Sequence, residues 1–122
     1  MKKFIKSLGF ALEGVRQFFF RERNARIQLV IALIAVIFGF WLKISSVEWL
    51  VLLFFITLVL ALEMINSAIE KLCDLVSIDF HPTIKKIKDI AAGAVLLASV
   101  FSLIAGIIIF IPRIYQLLIP GK

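Results

Sequence analysis

From Ile90 to Ile111 the chain runs 22 residues without a charged side chain. A helix of that length is about 33 Å long, enough to cross the roughly 30 Å hydrocarbon core of a bilayer. The rest of the sequence has the same character: 62% of its 122 residues are hydrophobic, and the mean hydropathy is +1.08. A soluble domain this short has too little interior to hide so much apolar surface. Its natural solvent is a membrane, and the predicted fold is an all-α membrane protein in one domain, residues 1–122.

Three spans are predicted, at about 25–43, 48–76 and 86–112. Trp41 closes the first and Trp49 opens the second, where interfacial aromatics belong, with a short turn from Lys43 to Glu48 between them. The uncharged part of the second span ends at Leu62. Neither Gly nor Pro follows to stop the helix, so it is expected to continue to about Val76 past Glu63, Asn66, Glu70 and Asp74. Residues 77–83 form a loop with Pro82 as its breaker, and Pro112 loosens the end of the third span. Ahead of the first span, residues 3–20 set Phe4, Ile5, Leu8, Leu12, Val15 and Phe19 at helical spacing, opposite Lys2, Lys6, Glu13, Arg16 and Gln17. This is the pattern of an amphipathic helix lying on a membrane surface.

A net charge of +6 would suit nucleic acid, but the basic residues flank the apolar spans. Topology and anionic lipid explain them better, and no nucleic-acid partner is expected. Eleven lysines and arginines fall in the N-terminal segment and around the second loop, against three (Lys43, Arg113 and Lys122) on the other side. That bias predicts a cytoplasmic N-terminus and second loop, with the C-terminus outside. The single cysteine, Cys73, excludes an internal disulfide and reads as a small packing group. The N-terminus lacks the apolar core and cleavage site of a signal peptide.

The chemistry concentrates on one face of the second span. At about 100° per residue, Ser67, Glu70 and Asp74 fall within about 40° of Glu63, and Asn66 lies about 60° to one side. A carboxylate at membrane depth costs roughly 2.5–3.5 kcal/mol on insertion scales. Three in a row call for a metal ion, lysines or water, whereas a seam used only for helix packing draws on Ser, Thr or one Asn. Glu63 lies roughly 10 Å deeper than Glu70. Glu70 is then at headgroup level, in reach of a hydrated metal, and the more desolvated Glu63 is placed to take a proton from a lipid hydroxyl. Glu22, Lys88 and Asp89 come to the same membrane face. Carboxylates with a lysine at an interface suit magnesium-bound phosphate chemistry; Lys85 and Lys86 read as topology signals. The chain has no P-loop, no G-x-G-x-x-G, no kinase HRD or DFG motif and no cysteine–histidine cluster for zinc. His81, alone in its loop, reads as a surface residue.

The stretch LEMINSAIEKLCD, residues 62–74, resembles the signature of the prokaryotic diacylglycerol kinase family. KDIAAGAVLL, residues 88–97, resembles that family's second motif, and GVRQFFFRERNARIQL resembles its entry into the first span. The likeness covers about residues 8–112. The FHP loop together with the form of the second motif is more similar to the Gram-positive undecaprenol kinase branch than to the enterobacterial diacylglycerol kinases. The resemblance implies three membrane helices with a surface helix, a homotrimer in a bacterial inner membrane with active sites shared between subunits, and a need for ATP and Mg2+. It also implies roles: Glu63 as catalytic base with Asn66 beside it, Glu70 and Glu22 as metal ligands, and Lys88 on phosphate. Asp89 and His81 would lie near the nucleotide, with Asp74 supporting the site. The implied reaction is phosphorylation of the primary hydroxyl of undecaprenol, with diacylglycerol as the alternative acceptor. A non-catalytic assembly subunit would carry the acids as a docking stripe. A proton or cation pathway would carry acids across the whole span, and the absence of any charge from residue 49 to residue 62 argues against it.

Overall fold

The computed structural model describes residues 1–121 and consists of four helices: α1 (Lys2–Arg21), α2 (Arg23–Trp41), α3 (Ser46–Val76) and α4 (Pro82–Leu118). No strand occurs among the described residues. Lys122, counted above among the three basic residues of the far side, lies outside them. Three helices are long and apolar enough to cross a membrane: α2, α3 and α4. The fold is therefore the predicted all-α one, a multi-pass membrane protein. Most large apolar side chains on these helices face outward, as hydrocarbon solvent permits.

Helix length positions the site. With 31 residues α3 is about 46 Å long, and with 37 residues α4 is about 55 Å. Both exceed a bilayer's apolar thickness, so their charged ends project beyond it. α3 and α4 pack along one another, whereas α2 touches α3 more sparingly.

The α2–α3 hairpin is fixed by local chemistry. Lys43 adopts a left-handed conformation (φ 52°). The Ile44 N–H reaches the Gly39 carbonyl at 3.2 Å, and the Lys43 N–H reaches that of Phe40 at 3.4 Å. This paired closure satisfies the last carbonyls of α2. Ser45 then caps α3 reciprocally: its Oγ accepts from the Glu48 N–H (3.2 Å), and Glu48 Oε1 accepts from the Ser45 N–H (3.0 Å). The helix thus begins two residues before the expected start at 48. Glu48 also pairs with Arg113, which donates to the Lys43 carbonyl and so ties α4 to the hairpin. Behind the turn, Ile44, Leu52 and Ile109 form the buried apolar cluster.

The ends of α4 differ from expectation for identifiable reasons. Pro82 does not break structure but opens the helix at its first position, where a missing N–H costs nothing. His81 caps it, its Nδ1 accepting from the Thr83 N–H at 3.2 Å. Pro112 lies inside the helix, which continues to Leu118; spanning helices tolerate such prolines where surrounding groups take up the freed carbonyl.

Candidate active site

Glu22 occupies the break between α1 and α2, in extended conformation (φ −96°, ψ 117°). The break is held by backbone and by arginine. The Glu22 N–H donates to the Phe18 carbonyl, and the Arg26 guanidinium donates to the carbonyls of Phe20 (2.7 Å) and Phe19 (3.3 Å). These are orphan acceptors of the last turn of α1, and a cation there also suits the helix dipole. Although Glu22 stands at the N-cap of α2, its side chain makes no capping bond. It turns instead to α3, where Oε1 accepts from Ser67 Oγ at 2.8 Å and lies 3.7 Å from Lys71 Nζ.

This contact places Glu22 in the middle of the acidic stripe. Ser67 sits one turn from Glu63 on one side and just under one turn from Glu70 on the other. The charges that bear on Glu63 are those of Glu70 and Glu22. Glu63 is half-buried and has no hydrogen-bond partner among the described residues. Asn66 donates weakly to Glu70 Oε1 (3.4 Å), which leaves its own Oδ1 buried without a partner. Below the stripe, Lys88 of α4 reaches Asp74 at 2.7 Å and joins the two helices at their charged ends.

The structure therefore brings Glu22, Glu63, Asn66 and Glu70 to one place, with Lys88 and Asp74 adjacent. It does not bring Asp89 or His81 there within one protomer. Asp89 pairs along α4 with Lys85 (2.6 Å), both exposed, and His81 is occupied as the helix cap. Three side chains make contacts that the sequence does not signal. Ser67 was visible on the stripe, but its bond to Glu22 spans 45 positions. Lys71 read only as a topology charge. Arg26 read only as a membrane-entry charge, and no local pattern signals its bond to α1. Cys73 is buried, as a packing residue should be.

The donor set is all oxygen. Among the described residues no three His, Cys, Asp or Glu side chains stand close enough to cage an ion. Magnesium does not require such a cage: it retains waters and takes one or two carboxylates together with substrate phosphates. Two carboxylates beside an unpartnered buried amide oxygen fit that demand. On the hydrocarbon side, a groove of about 470 Å3 runs between α2, α3 and α4. Ala32, Ala35, Leu52 and Phe110 line it, and it reaches Leu60, just under one turn from Glu63.

Comparison with known proteins identifies the family. The profile of the prokaryotic diacylglycerol kinase family matches residues 9–110, from the middle of α1 nearly to the end of α4. The undecaprenol kinase of Bacillus subtilis (strain 168) is 36% identical over 114 residues, 93% of each chain. The diacylglycerol kinase of Escherichia coli (strain K12) is 30% identical over 107 residues, 88% of each chain. That of Helicobacter pylori (strain ATCC 700392 / 26695) is 32% identical over 100 residues, covering 82% of this chain and 78% of the relative. With a match over most of its length and acids from two helices meeting at the end of a three-span bundle, the chain belongs to the prokaryotic diacylglycerol kinase family and is a membrane-embedded lipid kinase.

Proposed function

We propose that the chain phosphorylates the primary hydroxyl of undecaprenol, using ATP and Mg2+ at the cytoplasmic face of a bacterial inner membrane. The observation that carries this reading is the Glu22–Ser67 contact, which sets an acid from the surface-helix junction between Glu63 and Glu70 of α3. The choice of lipid rests on the likeness to the Bacillus subtilis undecaprenol kinase. Diacylglycerol, the substrate in the names of the other relatives, is the second reading.

Each residue has a task that follows from its place. Glu22 and Glu70 hold the metal, with Asn66 Oδ1 as a further oxygen donor. Bound magnesium supplies neutralisation of charge on the transferring phosphates. Lys88, on a solvent-accessible pair with Asp74, exchanges that carboxylate for a phosphate oxygen when the nucleotide binds. Glu63 has no protein partner competing for it, and it accepts the proton as the lipid hydroxyl oxygen bonds to the γ-phosphorus. The bond from that phosphorus to the ADP oxygen breaks in the same in-line displacement. Positioning and charge stabilisation do most of this work. The groove beside Leu60 receives the apolar body of the lipid, which brings its hydroxyl to the depth of Glu63. Asp89 and His81 are assigned to the nucleotide's outer contacts, and Asp74 to holding Lys88 between turnovers.

A homotrimer with shared sites is part of the proposal. In one protomer the Glu70, Asp74 and Asp89 side chains stand open to solvent, and a neighbouring copy would close over them. The test is lipid phosphorylation by the purified protein with a panel of lipid alcohols and labelled ATP. Undecaprenol is expected to outcompete diacylglycerol in mixed micelles, and native mass measurement of the same sample is expected to give three copies. Glu63→Gln should abolish turnover, with nucleotide binding and thermal stability retained. Normal turnover in that variant would remove Glu63 as the base, and preference for diacylglycerol would reverse the lipid assignment.

A further inference from the structure

We infer that Ser67 is a positioning residue: its hydroxyl fixes one oxygen of Glu22 so that the other is presented to a divalent cation. This rests on the reading of Glu22 as a metal ligand and adds what holds it there. Ser67 is the one buried polar side chain among the described residues, at 8% exposure. It sits on the acidic face of α3 and spends its hydroxyl on the carboxylate at the α1–α2 break, not on its own backbone. Both polar contacts to the Glu22 carboxylate, from Ser67 at 2.8 Å and from Lys71 at 3.7 Å, fall on Oε1. Oε2 has no partner among the described residues.

The surroundings explain why such a tether is needed. Glu22 stands in an extended break between two helices, with three rotatable side-chain bonds and no capping bond to restrain them. Arg26 fixes the backbone bend by gathering the Phe19 and Phe20 carbonyls, but it does not touch the carboxylate. Ser67 supplies the missing restraint from the far side. A carboxylate held by one oxygen loses less freedom when a metal binds the other, and ligand-orienting hydrogen bonds of this kind commonly set metal affinity by 10–100-fold. Lys71 acts in the opposite sense, because its positive charge beside Glu22 opposes an incoming cation.

The test uses Mn2+ alone, titrated into the full-length protein in lipid nanodiscs, with binding read from loss of the free-ion paramagnetic resonance signal. Ser67→Ala should weaken binding about 10-fold, and Ser67→Thr, which keeps the hydroxyl, should restore it. Lys71→Met, at an exposed position, should tighten binding. In the kinase assay Ser67→Ala should need correspondingly more Mg2+ but approach the parent rate at saturation. Parental Mn2+ affinity in Ser67→Ala, or equal loss in the Ala and Thr variants, would overturn the inference. If Ser67→Ala does not fold, Ser67→Val, which has the shape of threonine without its hydroxyl, is set against Ser67→Thr, and equal Mn2+ binding in the two counts against the tether. Glu22→Gln separates the two levels. Should it bind Mn2+ like the parent, the ligand assignment fails and the tether with it. Should it weaken binding while Ser67→Ala does not, the tether alone fails.

Discussion

Lys88 and Asp74 form a tight ion pair at 2.7 Å, yet both side chains are more than a third exposed. Ion pairs in that setting contribute little to stability, because water and salt screen them and two long side chains must be ordered. The pair is therefore better understood as a lysine parked within reach of the acidic stripe. Lys88→Ala should leave the thermal midpoint close to that of the parent while raising the KM for ATP roughly 10- to 100-fold, the range expected for loss of a charged hydrogen bond. Both quantities can be read on one detergent preparation. A large fall in thermal midpoint with an unchanged KM would make the pair structural. Most of these residues were legible in the sequence because they follow one rule: on a helix, positions 63, 66, 67, 70 and 74 share a face whatever the rest of the chain does. Glu22 was legible at the right membrane level from topology, but as a metal ligand only through a family resemblance. Its approach to Ser67 depends on the angle between α1 and α2, and that angle depends on Arg26 finding the carbonyls of Phe19 and Phe20.

At the scale of elements, the hairpin between α2 and α3 depends on one close approach. A Cβ at Gly39 would stand 2.7 Å from the Trp49 ring, at Cη2, and 3.2 Å from Ile44 Cδ1. Alanine in a helix interior normally gains about 0.5–1 kcal/mol over glycine. At Gly39 the sign should reverse, because Trp49 must move within the apolar cluster, at about 1–3 kcal/mol for such overpacking. Gly14, with open space around it, should show the ordinary gain. Thermal unfolding of Gly39→Ala and Gly14→Ala in the same detergent checks both, and equal shifts would mean that Trp49 adapts freely. Helix type and approximate length were readable because uncharged runs of this length have few other fates. The ends were not. Proline signals a boundary in water, but in α4 one proline starts the helix and the other sits within it. The reciprocal Ser45–Glu48 cap competed with the reading of residues 43–48 as plain turn, and the long-range Arg113–Glu48 pair leaves no local trace.

For the whole molecule, the lysines and arginines carry a statement about sidedness that follows from insertion physics. The proposed orientation puts the loop at Ile78, which is 92% exposed, inside the cell, and the hairpin at Val47, 69% exposed, outside. In a Cys73→Ala background, a cysteine at position 47 should react with an impermeant maleimide on intact spheroplasts, and one at position 78 only after permeabilisation. The reverse pattern would invert the molecule and put the acids on the wrong side for ATP. The break at Glu22 has a further consequence at this scale. The apolar side of α1, with Phe4, Ile5, Leu8 and Leu12 uncovered by the rest of the chain, suits the headgroup layer of a bilayer. The break that joins α1 to α2 also carries the Glu22 carboxylate, so the placement of α1 bears on whether that carboxylate meets Ser67 on α3. If the bilayer is in this way a structural part of the proposed site, a preparation that keeps the three spans intact while freeing α1 should retain its fold and bind Mn2+ more weakly than the parent.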